Sequence, residues 1–307
     1  MKRRSLKFGT RGSPLARAQT IEAVKRAAEC GEYEHDALQT YIIRTTGDVK
    51  STAPISMIGG KGVFCRELEQ ALLDRRIDIA VHSMKDLPVK QPEGLIADCV
   101  LPREDVRDSF ICHSATHPRD LPDGAVVGTS SLRRQAQLLK LNPGLKIVNF
   151  RGNLDTRLDK LAQGAVDATL LAMAGLRRLD ILSDQMTPVP VTDMLPAPAQ
   201  GCVCLQWRSD DRQVRELMEQ MDDFESKCRA TAERSLLSGL GGDCNTPLGA
   251  LAEYSEGDIL ISGELLSPDG SVCYSDQLRG PVCDAAQLGL ELARRILAEA
   301  ADSLAST

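Results

Sequence analysis

The sequence predicts an α/β protein of two lobes, followed by a small α+β module with a three-stranded sheet. Three observations carry that expectation. Strand-like runs alternate with helical ones from residue 6 to about 208. The chain changes character in the charged stretch LPREDVRDSF near residue 101, and again over the proline-rich stretch TPVPVTDMLPAPAQG (187–201), so it reads as crossing twice between lobes. From about residue 222 the order becomes helix, three strands, helix. The expected domains are 1–101 with 201–220, then 106–195, then 222–307.

Each element has a local reason. LKFGT (6–10) is a strand, and the helix after it has Ser13 as N-cap, Pro14 at its first position and apolar residues at helical spacing. LQTYIIR (38–44) is a strand, GGKG (59–62) leads into the helix VFCRELEQALLD, and IDIAVH (77–82) is a buried strand running into SMKDLP. The second lobe repeats strand, turn and helix in GAVVGTSSLRRQAQLLKL, LKIVNFRGNLDTRLDKLAQG and DATLLAMAGLRRLD. CVCLQW (202–207) is one more strand. In the last module FESKCRATAERSLLSGL is a helix that Gly241 and Gly242 stop. A loop with Cys244 follows, and Pro247 keeps it from re-entering a helix. LGALAE, DILISGELL and SVCYSDQL are strands, and AAQLGLELARRILAEAADSL is the final helix.

Composition narrows the function. The chain has 307 residues, 42% hydrophobic and 26% charged, as a globular protein does. A net charge of −6 and only 3% aromatic residues argue against nucleic-acid binding. No apolar run reaches the roughly 20 residues of a membrane span. MKRRSLKFGTRGS is basic but has no apolar core, so no secretory signal is expected, and the ten cysteines are expected as reduced thiols in the cytoplasm. No C-x-x-C pair is present, and Cys112, His113 and His117 in CHSATH fall short of a four-ligand site, so no metal is expected.

Arginines gather at predicted strand-to-helix junctions. Arg11 follows the first strand, and Arg151 follows the strand before Arg157's helix; Arg177, Arg178 and Arg208 stand in similar places. GTSSLRR sets Thr129, Ser130 and Ser131 at a helix N-terminus with Arg133 and Arg134 in the first turn. Two cations there oppose the helix's own preference, and an anionic ligand resolves the conflict. So many arginines imply several carboxylates. Lys61 in GGKG lacks the phosphate-loop spacing and a following Ser or Thr, so it reads as part of a mobile flap or a tight loop. Asp86, at the end of a strand beside a basic cleft, reads as a carboxylate kept ionised, suited to stabilising a cationic intermediate, or else as a turn residue.

RGSPLA, GGKGVF, IAVHSMKDLP, VGTSSLRRQAQL, RGNLDTRL, LAMAGLRRL, AERSLL and the Cys244 loop, in that order, resemble the hydroxymethylbilane synthase (porphobilinogen deaminase) family over nearly the whole chain. The resemblance implies two lobes like the type II periplasmic binding proteins and a cysteine-bearing α+β domain. It implies a dipyrromethane cofactor held by a thioether to Cys244. The implied reaction joins four porphobilinogen units head to tail into 1-hydroxymethylbilane with loss of ammonia. By motif, Asp86 is the catalytic carboxylate. Lys85, Thr129, Ser130, Ser131, Arg133, Arg134, Arg157 and Gly201 fall to the cofactor, along with Asp86. Arg11, Ser13, Arg151, Arg157, Arg178, Arg208 and Gln200 fall to the substrate, and Lys61 and Phe64 to the flap. The resemblance also implies a monomer whose product passes to uroporphyrinogen-III synthase.

Two departures stand out. Asp243 separates the glycine pair from Cys244, where a carboxylate disfavours the thiolate, and Gln206 stands near an expected acidic residue. A non-catalytic binding protein for a small carboxylate would use the same two-lobed fold, but would need neither Cys244 nor Asp86. A DNA-binding regulator would need a helix-turn-helix or basic arm, and neither is present.

Overall fold

The first lobe begins with β1 (Leu6–Thr10), α1 (Pro14–Gly31), β2 (Leu38–Ile42), α2 (Arg66–Leu73), β3 (Ile79–Ser83) and β4 (Leu95–Val100). The computed structural model describes residues 4–31, 33–45, 65–243 and 245–305. The second lobe runs through β5 (Asp108–Cys112), β6 (Val126–Gly128), α3 (Leu132–Leu141), β7 (Lys146–Val148), α4 (Leu154–Ala162), β8 (Ala168–Ala172), α5 (Met173–Arg178) and β9 (Met186–Pro188). The chain then returns to the first lobe as β10 (Val203–Arg208) and α6 (Arg212–Met221). Helix α7 (Phe224–Gly239), strands β11 (Leu248–Ser255), β12 (Asp258–Leu266) and β13 (Cys273–Pro281), and helix α8 (Ala285–Ala305) complete it.

Both lobes have one topology. The sheets run β2-β1-β3-β10-β4 and β7-β6-β8-β5-β9. In each, one strand is antiparallel to its neighbours: β10 against β3 and β4, and β5 against β8 and β9. That strand is the first one after a crossing, so each lobe's sheet is completed by chain returning from the other. The third sheet is an antiparallel β11-β12-β13 meander. The fold class is the expected one: two α/β lobes and a small α+β module.

Alternating side chains fill both faces of each lobe's sheet. Phe8, Val81, Leu205 and Trp207 pack against α1 and α6, whereas Ala80, Ile77 and Leu95 pack against Leu68 and Leu72 of α2. Phe110, Val127 and Leu170 pack on Leu138 of α3, and Phe150, Leu161 and Leu176 fill the opposite side. The last module buries Leu236, Ile261, Leu292 and Ile296 in a core of its own. Packing divides the chain into Met1–Glu104 with Gly201–Lys227, and Asp105–Gln200 with Cys228–Thr307. The second unit thus holds both the second lobe and the last module. Glu233 of α7, fully buried, ties them: its carboxylate accepts from the backbone N–H of Ala199 at 2.6 Å and of Ala252 at 2.8 Å.

Some elements escape the pattern reading. The proline-rich crossing begins with a strand, β9, which lies at a sheet edge where a missing N–H is tolerated. The charged stretch read as the first crossing already contains the start of β5. Strand β4 and helix α6 were not anticipated. At Gly201 φ is +91°, and a Cβ would lie 2.4 Å from the carbonyl oxygen of Glu104, so glycine is required where the two crossings meet.

Candidate active site

In lobe 1, β3 runs into a single 3-10 turn, Met84–Asp86. Asp86 is exposed and Lys85 half-buried. The turn is anchored on all sides. Met84 N–H donates to Cys202 at 3.0 Å and Leu87 N–H to Met84 at 3.1 Å. Ser83 Oγ exchanges hydrogen bonds with the Gln19 amide at 2.8 and 3.1 Å, and Leu87 is buried. Asp86 is thus an exposed carboxylate on a hydrogen-bonded turn.

Strands β1 and β3 are parallel, so Arg11 and Asp86 both follow strand carboxyl ends, where open α/β sheets bind ligands. Arg11 is half-buried. Both act on the buried Cys65 thiol: burial pushes its pKa up, Glu69 and Asp86 add to the rise, and Arg11 opposes it. Cys65 Sγ also approaches the Asp86 carbonyl at 3.8 Å. Ser13 is the expected helix cap, its Oγ accepting from Ala16 N–H at 3.3 Å.

In lobe 2 the N-terminus of α3 is built by hydroxyls. Ser131 caps it, accepting from Arg134 N–H at 3.4 Å, and Thr129 Oγ1 accepts from Ser131 N–H at 3.1 Å. Ser130 Oγ instead lies 2.6 Å from Asn149 Oδ1 and 2.9 Å from the Phe150 carbonyl, and accepts from Phe150 N–H at 3.2 Å, pinning the segment after β7.

Arg133 and Arg134, expected at the cofactor, already have a partner within the chain. Both are buried, and their anion is within the chain: Asp108, the first residue of β5, fully buried. Arg133 donates to Asp108 Oδ2 at 2.7 Å and to the Leu195 carbonyl at 2.7 Å. Arg134 donates to Asp108 Oδ1 at 2.7 and 3.2 Å and to the Leu170 carbonyl at 2.9 Å. Gln200, expected at the substrate, is fully buried and donates to the same carboxylate at 2.9 Å. Burial alone would raise Asp108's pKa, but Arg133 and Arg134 outweigh it and hold the group well below the carboxylate range. Asp108 serves both guanidinium groups, and Glu264, which also acts on Arg133, is itself paired with Lys140, so three cations face two carboxylates around α3.

Arg208 is corrected more fully. It is buried and donates to Asp78 and Asp211 at 2.9 Å each, and to the carbonyls of Leu72 and Ile77. It pairs in register with Leu95, the first residue of β4, so it stands at the amino end of the parallel strands, away from Asp86. Arg151, Arg157 and Arg178 are half-buried in lobe 2. Lys61, Phe64 and Cys244 lie outside the described residues. Beside the last, Asp243 Oδ1 accepts from Asn245 N–H at 2.9 Å within its own turn.

Sequence reasoning missed Asp108, Asp78 and Asp211. Their signal was weak: each is an aspartate at a strand or helix end, where a turn or cap residue is the ordinary reading. Among the described residues no cluster of metal-ligating side chains occurs and no helix is long and apolar enough to cross a membrane. The nine described cysteines are free thiols.

Lobe 1 carries an exposed carboxylate after a parallel strand, and lobe 2 buries two arginines on one aspartate; both lobes are α/β sheets of the kind that take small ligands at strand carboxyl ends. Comparison with known proteins makes the class specific. Residues 6–216 match the family described as "Porphobilinogen deaminase, dipyromethane cofactor binding domain", and residues 227–298 match "Porphobilinogen deaminase, C-terminal domain". The porphobilinogen deaminase of Paracoccus denitrificans (strain Pd 1222) is 48% identical over 291 residues, covering 95% of this chain and 93% of that protein. The chloroplastic porphobilinogen deaminase of Oryza sativa subsp. japonica is 48% identical over 279 residues, covering 90% and 78%. The chain belongs to the porphobilinogen deaminase family. It is accordingly a transferase with hydroxymethylbilane synthase activity: it condenses four porphobilinogen molecules head to tail, releases ammonia, and uses a dipyrromethane cofactor.

Proposed function

We propose that Asp86 is the catalytic carboxylate of this synthase and Cys244 the covalent anchor of its cofactor. One observation carries the first assignment: an exposed carboxylate stands on an immobilised turn at the carboxyl end of lobe 1's third parallel strand, on the same sheet edge as Arg11. Loss of ammonia leaves positive charge on the substrate's methylene carbon. A fixed carboxylate stabilises that charge, and it can hold the pyrrole N–H.

Dipyrromethane brings four carboxylates, and the donors present suit it. Arg157 and Lys85 are half-buried cations, and Thr129 and Ser131 supply hydroxyls over the surplus charge of the Asp108 cluster. When bound, the group supplies a free pyrrole carbon as the nucleophile for chain growth. Arg133 and Arg134 serve it through charge rather than contact. Ser130 and Gly201 shape the backbone beside it. Arg11, Ser13, Arg151 and Arg178 bind the acetate and propionate groups of incoming porphobilinogen, with Lys61 and Phe64 on a flap. The enzyme works as a monomer in the cytoplasm and hands its product to uroporphyrinogen-III synthase, in tetrapyrrole synthesis.

Two measurements test these assignments. Cys244→Ser protein incubated with porphobilinogen should keep its sequence mass, because a hydroxyl is a far weaker nucleophile than a thiol. Full loading of that variant would move the anchor elsewhere. Asp86→Asn, loaded with cofactor from preformed hydroxymethylbilane, should release ammonia about 10²-fold more slowly. A rate within about threefold of the parent, under roughly 0.7 kcal/mol of barrier, makes Asp86 a turn residue only.

A further inference from the structure

One buried polar network takes no part in the chemistry above. Gln206, fully buried on β10, lies opposite Ala80 of β3, at a bulge where the ladder to β4 shifts between Leu205 and Trp207. The segment from Asp86 to β4 joins two parallel strands and must travel the length of the sheet. Gln91, midway along it, donates Nε2 to the Pro88 carbonyl at 2.6 Å, and a carbonyl can only accept. Gln91 Oε1 therefore faces Gln206 Nε2, which donates to it at 2.8 Å and reaches Glu69 Oε1 at 3.5 Å. Gln206 Oε1 is left for His82 Nε2 at 3.1 Å, so His82 is the donor and carries its proton on Nε2. Every link is directed by one backbone carbonyl. The chain of bonds begins four residues before Asp86 and ends two residues after it.

We propose that Gln206 is a positioning residue for Asp86: through His82 and Gln91 it holds both ends of the catalytic turn in one geometry. The proposal rests on the reading of Asp86 as the catalytic group.

An amide suits this place because it both accepts from His82 and donates to Gln91. A carboxylate could not donate to Gln91, would face Glu69 on α2, and would draw a proton onto His82. His82 is neutral as it stands: burial lowers its pKa to about 4, the Gln206 bond opposes that, and Arg11's charge adds to the lowering. Among the described residues, Glu69, raised by burial, and Arg66 beside it on α2 also act there.

The test is steady-state kinetics of the cofactor-loaded enzyme across pH, with Gln91→Ala, Gln206→Glu and Asp86→Asn in parallel. Gln91 is half-buried outside the sheet, so its truncation cuts the link without opening the core. Gln91→Ala should lower kcat about tenfold with KM within about twofold, the signature of a displaced catalytic group. Gln206→Glu should add an ionisation to the kcat profile between about pH 5 and 8, as His82 and the new carboxylate share a proton. Unchanged kcat in Gln91→Ala overturns the proposal when Asp86→Asn is itself crippled, and it does so even if Gln206→Glu fails to fold. A pH profile for Gln206→Glu that superimposes on the parent's overturns it equally. If Asp86→Asn works at the parent rate, the reading of Asp86 has failed, and the positioning role falls with it.

Discussion

Each α/β lobe buries an arginine–aspartate cluster, and the two clusters sit at opposite ends of equivalent sheets. In lobe 1, Arg208 closes β10 beside Asp78, the residue before β3, at the amino end of the parallel strands. Arg4 and Asp211 join them, giving two charges of each sign. In lobe 2, Asp108 opens β5 opposite Ala172, the last residue of β8, at the carboxyl end. There two arginines share one carboxylate. The same residue types thus do two jobs. A neutral cluster at the amino end joins strands to helices. The cluster of two arginines on one carboxylate stands at the carboxyl end, where open α/β sheets take ligands. The third parallel strands differ in the matching way: β3 leads to Asp86, and β8 leads to α5 with Arg177 and Arg178 in its last turn.

The sharpest way to break this contrast is Asp108→Asn. It leaves two buried guanidinium groups without a carboxylate, so stability should fall by about 3–5 kcal/mol, read from the denaturant midpoint. A loss under about 1 kcal/mol would mean that the cluster is effectively solvated.

Acid should then separate the lobes. His82 in lobe 1 ordinarily titrates at 6.5 and here at about 4. The unfolded chain takes up that proton first, so stability is complete above about pH 6.5 and declines toward pH 4, by about 3 kcal/mol in all. Asp108 in lobe 2 is held below its ordinary 3.8, so its contribution persists through that window and is lost only at lower pH. His82→Asn should flatten the first decline and leave the second. If the decline between pH 6.5 and 4 survives in that variant, other groups cause it.

The smallest effect sharpens the contrast further. Arg208→Lys keeps the charge but loses the fork that reaches two carboxylates and two carbonyls, at about 1–2 kcal/mol of stability. Its KM for porphobilinogen should stay within about twofold, as should that of Arg208→Gln, whereas Arg134→Gln, which removes the charge, should raise KM about fivefold, roughly 1 kcal/mol. Equal KM effects at both positions would erase the distinction between the two ends.

Much of the fold was legible because its signals are local. Ser13 caps α1, Pro14 opens it, and Gly241, at φ +64°, follows the end of α7 where the glycine pair predicted a stop. The periodicities of β3, α3, β8 and the β11–β13 meander needed only neighbouring residues to read. Asp86 could be picked out the same way, since it follows directly from a strand into a turn. The partners of the arginines could not. Arg133 meets Asp108 across 25 positions, and Arg208 meets Asp78 across 130. Sequence placed arginines at strand ends but could not say which end of a sheet each would occupy, because that depends on whether the strand runs parallel or antiparallel to its neighbours. It also left the charge on Arg133 and Arg134 seeking an outside anion, when the chain supplies one. Secondary structure is set within a turn or a strand, and the sequence determined it. Electrostatic pairing is set by which strands lie side by side, and only the tertiary structure decided that.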